Sequence, residues 1–96
     1  MIRLLDKVTT NTTGTSYETD EENRNFLRPV QVEITGTASV SVQGRLANDL
    51  SWIVIKTYTA SGADTLQVFR YMRAVVTGAT GANVTVDLDA RPRIGS

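Results

Sequence analysis

The sequence predicts an all-β fold: a small antiparallel β-sandwich of about seven to eight strands, Ig-like or jelly-roll-like in plan, with an extended N-terminal arm. Three observations predict it. Residues 37–46 alternate small or apolar side chains with polar ones, and period-2 alternation puts every second side chain on one face of a sheet. Residues 75–88 read as strand, Gly-rich hairpin turn, strand, with Gly78-Ala79-Thr80-Gly81 at the turn. No segment carries the apolar periodicity of an amphipathic helix.

Taken in order, Ile2, Leu4, Asp6 and Val8 form a first short alternating segment. Residues 9–25 are polar, include the acidic stretch Glu18-Thr19-Asp20-Glu21-Glu22, and have little to bury. They read as a long loop or arm with one edge strand near Thr15 to Tyr17, mobile until a partner orders it. Pro29, lacking an N–H, suits the first residue of a strand in which Val30, Val32 and Ile34 point one way. Gly36 breaks that run. In the next strand Ala38, Val40, Val42 and Leu46 share a face, opposite Ser39, Ser41, Gln43 and Arg45. Residues 47–51 are a turn, and residues 57–64 a Ser/Thr/Gly connection. In the last strand Val84, Val86 and Leu88 point in, and Thr85, Asp87 and Asp89 point out. The organisation is a single domain: residues 1–28 strand and polar arm, 29–90 sandwich core, 91–96 tail.

Two segments are apolar on both faces. One is Trp52-Ile53-Val54-Ile55. The other is residues 67–77, where Val68, Met72, Ala74 and Val76 oppose Phe69, Tyr71 and Val75. The outer face of an antiparallel sheet ordinarily meets water, so a second apolar face points to cover by another subunit or by the arm. Val40, Val42, Trp52, Val54, Val84 and Val86 are the expected core, with Trp52 as its plug.

Composition narrows the chemistry. The chain has no Cys and no His, so disulfides, thiolate nucleophiles, His-based triads and His/Cys metal sites are excluded by inventory. Net charge is zero, with ten basic and ten acidic residues, whereas a nucleic-acid binder carries a basic excess. No apolar run approaches a membrane span, and Met1-Ile2-Arg3-Leu4-Leu5-Asp6-Lys7 is too short and charged for a signal peptide. The acidic stretch lacks the spaced ligands and glycine of a calcium loop. Asp87 and Asp89 share a face without the split environments that acid–base catalysis needs. Arg70 and Arg73 differ in parity and so do not form one patch. No catalytic residue, cofactor or metal ligand is assigned, and a small-molecule ligand is not expected.

Three stretches carry a resemblance: Gly36-Thr37-Ala38-Ser39-Val40-Ser41-Val42-Gln43-Gly44-Arg45-Leu46, Trp52-Ile53-Val54-Ile55, and residues 71–82 from Tyr71-Met72-Arg73-Ala74 through Gly81-Ala82. Together they resemble the small β-sandwich virion proteins of tailed bacteriophages, of capsid decoration (cement) or connector type. The resemblance spans the last two thirds of the chain and rests on strand and turn chemistry. It implies a non-enzymatic virion structural protein, foremost a capsid decoration protein that stabilises the head through oligomeric contacts. The alternatives are a head–tail connector or tail component and, from another class, a carbohydrate-binding module of a fibre or secreted protein. The implied partners are the major capsid protein or other virion proteins and further copies of the chain, a trimer being favoured. Neither nucleic acid nor membrane is implied. The protein would be made in the host cytoplasm and reside in the virion. The candidate subunit or capsid interface comprises Phe69, Tyr71, Arg73, Val75, Arg24 and Arg28.

Overall fold

The computed structural model describes residues 1–20 and 26–91. Its regular elements are all strands: β1 (Ile2–Val8), β2 (Thr12–Thr13), β3 (Tyr17–Glu18), β4 (Leu27–Arg45), β5 (Ile53–Tyr58), β6 (Gly62–Gln67) and β7 (Tyr71–Leu88). The fold is all-β and antiparallel, as expected. The strands form one sheet in the order β1-β7-β4-β5, with β2 and β3 also paired to β7 and β6 to β4.

Two strands organise everything else. A straight strand of 19 residues would extend roughly 60 Å at about 3.3 Å per residue. The whole molecule measures 38 × 26 × 21 Å, so β4 must bend, and β7 beside it must bend with it. The pairing shows where. The register of β4 against β7 is regular from Val30↔Leu88 to Thr35↔Asn83, shifts on both sides of Thr37↔Thr80, and is regular again from Ser39↔Thr77 to Arg45↔Tyr71. Gly36, Gly78 and Gly81 take φ of 74°, 62° and 57° at this corner, a conformation open to glycine without steric cost. A Cβ on Gly36 would also run into the Gly81 carbonyl.

The neighbouring chain paths turn the same corner with gaps in their ladders. On one side β5 follows the C-terminal part of β4 and β6 its N-terminal part. On the other, β1 follows the C-terminal part of β7 while β2 and β3 follow its N-terminal part. Side chains substitute for the missing ladder bonds. Ser61 Oγ accepts from the Ile34 amide at 2.8 Å and donates to the Ile34 carbonyl at 3.1 Å. Asn11 Oδ1 accepts from the Ala79 amide at 2.9 Å. The result is a sheet of two leaves. The first holds β1, β6 and the halves of β7 and β4 that pair with them, and the second holds β2, β3, β5 and the remaining halves.

One face of each leaf is buried. Val30, Val32, Val84, Val86 and Leu88 of the first leaf join Val40, Val42, Met72, Ala74 and Val76 of the second in a single core. Bending therefore lays the sheet over itself and removes this apolar area from water. In β1 a register shift lets both Leu4 and Leu5 enter that core, as a bulge allows. The buried core holds no aromatic ring among the described residues; Tyr17, Tyr58 and Phe69 pack only at its margin.

Several expectations need correction. Gly78 to Gly81 is a bend inside one continuous strand, because residues on both sides of it pair with the same partner β4. Residues 67–77 are not one strand: β6 ends at Gln67 and β7 begins at Tyr71. The connection expected over residues 57–64 shrinks to residues 59–61. Trp52 is half-buried and absent from the core, and Val54 is 52% exposed, because β5 lies at the sheet edge. Leu46 falls beyond the end of β4 and is 61% exposed. As far as residue 20, the polar arm is stitched to β7. The Gly14 amide reaches the Ala74 carbonyl at 2.8 Å, and the buried Thr19 donates to the Phe69 carbonyl at 2.7 Å. These backbone bonds hold a segment with little to bury.

Candidate functional site

Two aromatic side chains missing from the core, Trp52 and Tyr71, gather with arginines on the outer face of the second leaf. Even-numbered residues of β4 and β7 are buried there, so the odd ones face outward. Gln43 pairs with Arg73, and Arg45 with Tyr71. Two arginines thus rise from adjacent strands as diagonal neighbours, within reach of one another. Trp52, just before β5, receives both: each guanidinium carbon lies 4.4 Å from the centre of its ring. Tyr71 extends the row, with Arg45 at 5.6 Å and Arg70 at 5.3 Å.

The electrostatics of the row are uneven. Arg70 pairs with Glu18 of β3 at 3.0 Å. Arg45 and Arg73 form no ion pair with any described carboxylate. Arg73 Nε donates to Gln43 Oε1 at 2.8 Å, and Arg45 Nη1 to the Leu50 carbonyl at 3.4 Å. Arg45 Nε is buried and finds no acceptor. Burial, and then the charge of Arg45, push the Arg73 pKa below its ordinary value. Arginine stays charged regardless, so two cations share one indole ring. Cation–π attraction of about 0.5–2 kcal/mol per contact partly offsets their repulsion.

Beside this row is an apolar margin. Leu46, Leu50, Ile53 and Val54 are each about half exposed or more. A hollow of about 350 Å³ opens between Arg45, Leu46, Leu50, Ser51, Ile53 and Phe69. Phe69 reaches it from the inner side, in the space that Gly44 leaves free; a Cβ there would approach the Phe69 ring carbon to 2.8 Å.

Of the residues expected at an interface, Tyr71, Arg73 and Val75 are together on the outer face of the second leaf. Phe69 is not with them: it lies in the turn before β7, where strand parity does not apply, and packs against the core margin. Arg28 is on the first leaf, its Nε donating to the Asp89 carbonyl at 2.8 Å and its Nη2 3.5 Å from the Asp89 carboxylate. Arg24 lies outside the described residues. Arg70 also precedes β7, and its guanidinium does join Arg73 in one row through Tyr71 and Trp52. Arg45 is not among the expected site residues, and Trp52, expected as a core plug, belongs to the site instead. The outward parity of Arg45 was readable from Ser39, Ser41 and Gln43; its neighbours across the strand were not.

Elsewhere several carboxylates pair with cations. Asp87 pairs with Arg3 at 2.8 Å, and that hydrogen bond raises the Arg3 pKa. Asp64 pairs with Lys56 at 2.7 Å, chiefly through a hydrogen bond that lowers the Asp64 pKa. Tyr58 packs beside it, and burial plus the Asp64 charge push its phenol up to about 12. No group of three His, Cys, Asp or Glu side chains able to hold a metal occurs among the described residues. The outer face of the second leaf therefore offers guanidinium N–H donors, aromatic surface and exposed aliphatic side chains, a set suited to recognition. Comparison of the chain with known protein families, with curated proteins and with solved structures finds no match.

Proposed function

We propose that this chain is a non-enzymatic structural protein of a tailed-bacteriophage virion, a capsid decoration protein that stabilises the head through contacts among its copies and with the major capsid protein. One observation carries the contact-making part of the reading: Leu46 and Leu50 in the turn before β5, and Ile53 and Val54 at its start, stand 49–61% exposed. Grouped exposed aliphatics mark a surface that a partner covers. The virion setting rests on the resemblance of residues 36–46, 52–55 and 71–82 to phage virion proteins, and a trimer suits a threefold lattice site. A connector or tail component would use the same contacts. Sugar stacking draws less support, because the Trp52 ring is already engaged by two guanidinium groups.

The test is quantitative mass spectrometry of purified virions together with sedimentation velocity of the free protein. A copy number matching the shell lattice, and an oligomer in solution, are expected. A copy number matching a single ring at one vertex would move the protein to the connector. Absence from virions would overturn the setting, and a monomer that leaves undecorated capsids unbound would overturn the contact-making reading.

A further inference from the structure

We propose that the Arg45–Trp52–Arg73 row is a carboxylate receptor: a docking site for an acidic side chain, flanked by an aliphatic one, on the surface of a partner protein. This goes beyond the virion reading, since the receptor would serve an acidic partner in any setting.

Three observations converge on it. The first is unspent charge. Arg3 and Arg28 pair with aspartates, Lys56 with Asp64 and Arg70 with Glu18. Arg45 and Arg73 have neutral acceptors only, and both lie 4.4 Å from the centre of the same ring. The ring attracts both cations, but their mutual repulsion persists; a carboxylate bound beside them would relieve it and accept several N–H donors. The second is preorganisation. Contact with Trp52 holds both guanidinium groups, with Arg73 also bonded to Gln43 and Arg45 to the Leu50 carbonyl, before any ligand arrives, which lowers the ordering entropy of binding. The third is the surround. Arg, Trp and Tyr bordered by exposed Leu, Ile and Val have the composition of a protein-interface centre.

The same features disfavour a nucleic-acid ligand. Polyanion binding draws on a track of cations that displaces many counterions, and here Glu18 lies beside the row. Single strands also stack bases on free rings, and Trp52 already carries two cations.

The sole tryptophan of the chain is the reporter. The full protein is titrated with acetylated hexaglutamate and, separately, with an oligothymidylate of equal charge, following Trp52 emission. A saturable change with hexaglutamate is expected, weakening as salt rises from about 0.1 to about 1 M and the screening length shrinks from ~10 to ~3 Å. Arg45→Gln and Arg73→Gln should each weaken binding about tenfold or more, the range for a desolvated interface arginine. Arg73→Lys, which keeps the charge but loses the planar fork, should fall between. Arg28→Gln on the other leaf should bind as wild type. Thermal melting supplies an independent readout: Arg45→Gln should melt no lower than wild type, because it removes a buried N–H without an acceptor and a like-charge contact. No saturable response, undiminished binding by the two glutamine variants, tighter binding of oligothymidylate, or a large drop in melting temperature for Arg45→Gln would each overturn the proposal.

Discussion

The two leaves share one core and one pair of central strands, yet their outer faces are finished differently. On the first leaf Arg3 meets Asp87 and Arg28 meets Asp89. On the second, Arg45 and Arg73 meet only each other, Trp52, Tyr71 and neutral acceptors. Inward-facing residues of both leaves are aliphatic, a run of Val, Leu, Ile and Ala with one Met. The core is thus of one kind in both leaves, while the arginines of the first have carboxylate partners and Arg45 and Arg73 of the second do not. Two arginines gathered on one ring without a carboxylate point to a demand other than folding.

The comparison can be broken first at the core, where the largest effects are expected. Leu88→Ala on the first leaf and Met72→Ala on the second remove fully buried side chains and should each cost about 2–5 kcal/mol. Denaturant titration showing one of them near neutral would mean that the leaves do not share a core. Next comes the corner. Gly36 and Gly78 both have positive φ, but a Cβ on Gly36 meets the Gly81 backbone and one on Gly78 meets open space. Gly78→Ala should cost about 1–2 kcal/mol for the left-handed conformation alone, and Gly36→Ala distinctly more. Equal losses would show that the corner relaxes freely.

A smaller effect is expected at the β5–β6 margin on alkaline titration. Because the Tyr58 phenol is raised to about 12 in the folded protein, the stability it contributes is complete below about pH 10, its ordinary value. That stability is then lost as pH rises towards about 12. Tyr58→Phe should flatten this part of the stability profile; an unchanged profile would place the alkaline transition elsewhere. Smallest of all, Arg3→Gln should lower the melting temperature slightly at low salt and not at high salt, as an exposed pair does. A large, salt-independent loss would show that the first leaf depends on its surface pairs.

How much of this was legible in the sequence depends on the range of the interaction. Which face of β4 and of the C-terminal part of β7 points inward was legible, since Val30, Val32, Val40, Val42, Val84 and Val86 obey a purely local alternation. Where a strand ends was not. Gly36, Gly78 and Gly81 carry the same signal in a hairpin and in a bent strand, and only the partner across the ladder tells them apart. The polar segment to residue 20 gave no warning because backbone bonds, which any residue can make, hold it in place. Trp52 was misplaced for a related reason. Its apolar neighbours suggested a central strand, but β5 is an edge, and edge position is a property of the whole sheet. At the site, Tyr71 and Arg73 were legible as outward residues; that Arg45 and Trp52 join them depends on register.

The pairing of Ile2 with Leu88 sets the order in which the chain can acquire structure. A nascent chain emerges N-terminus first, so β1, with Ile2, Leu4 and Leu5 all destined for the core, stays without its ladder until almost the last strand has been synthesised. Such non-local topology makes folding slow relative to helical domains and leaves apolar strands exposed meanwhile. β4, β5 and β6 can associate while synthesis continues, but the sheet closes only after β7 is released. The outer edge is therefore laid down last although it is made first, and trimming it would reopen a core that the rest of the chain had already formed.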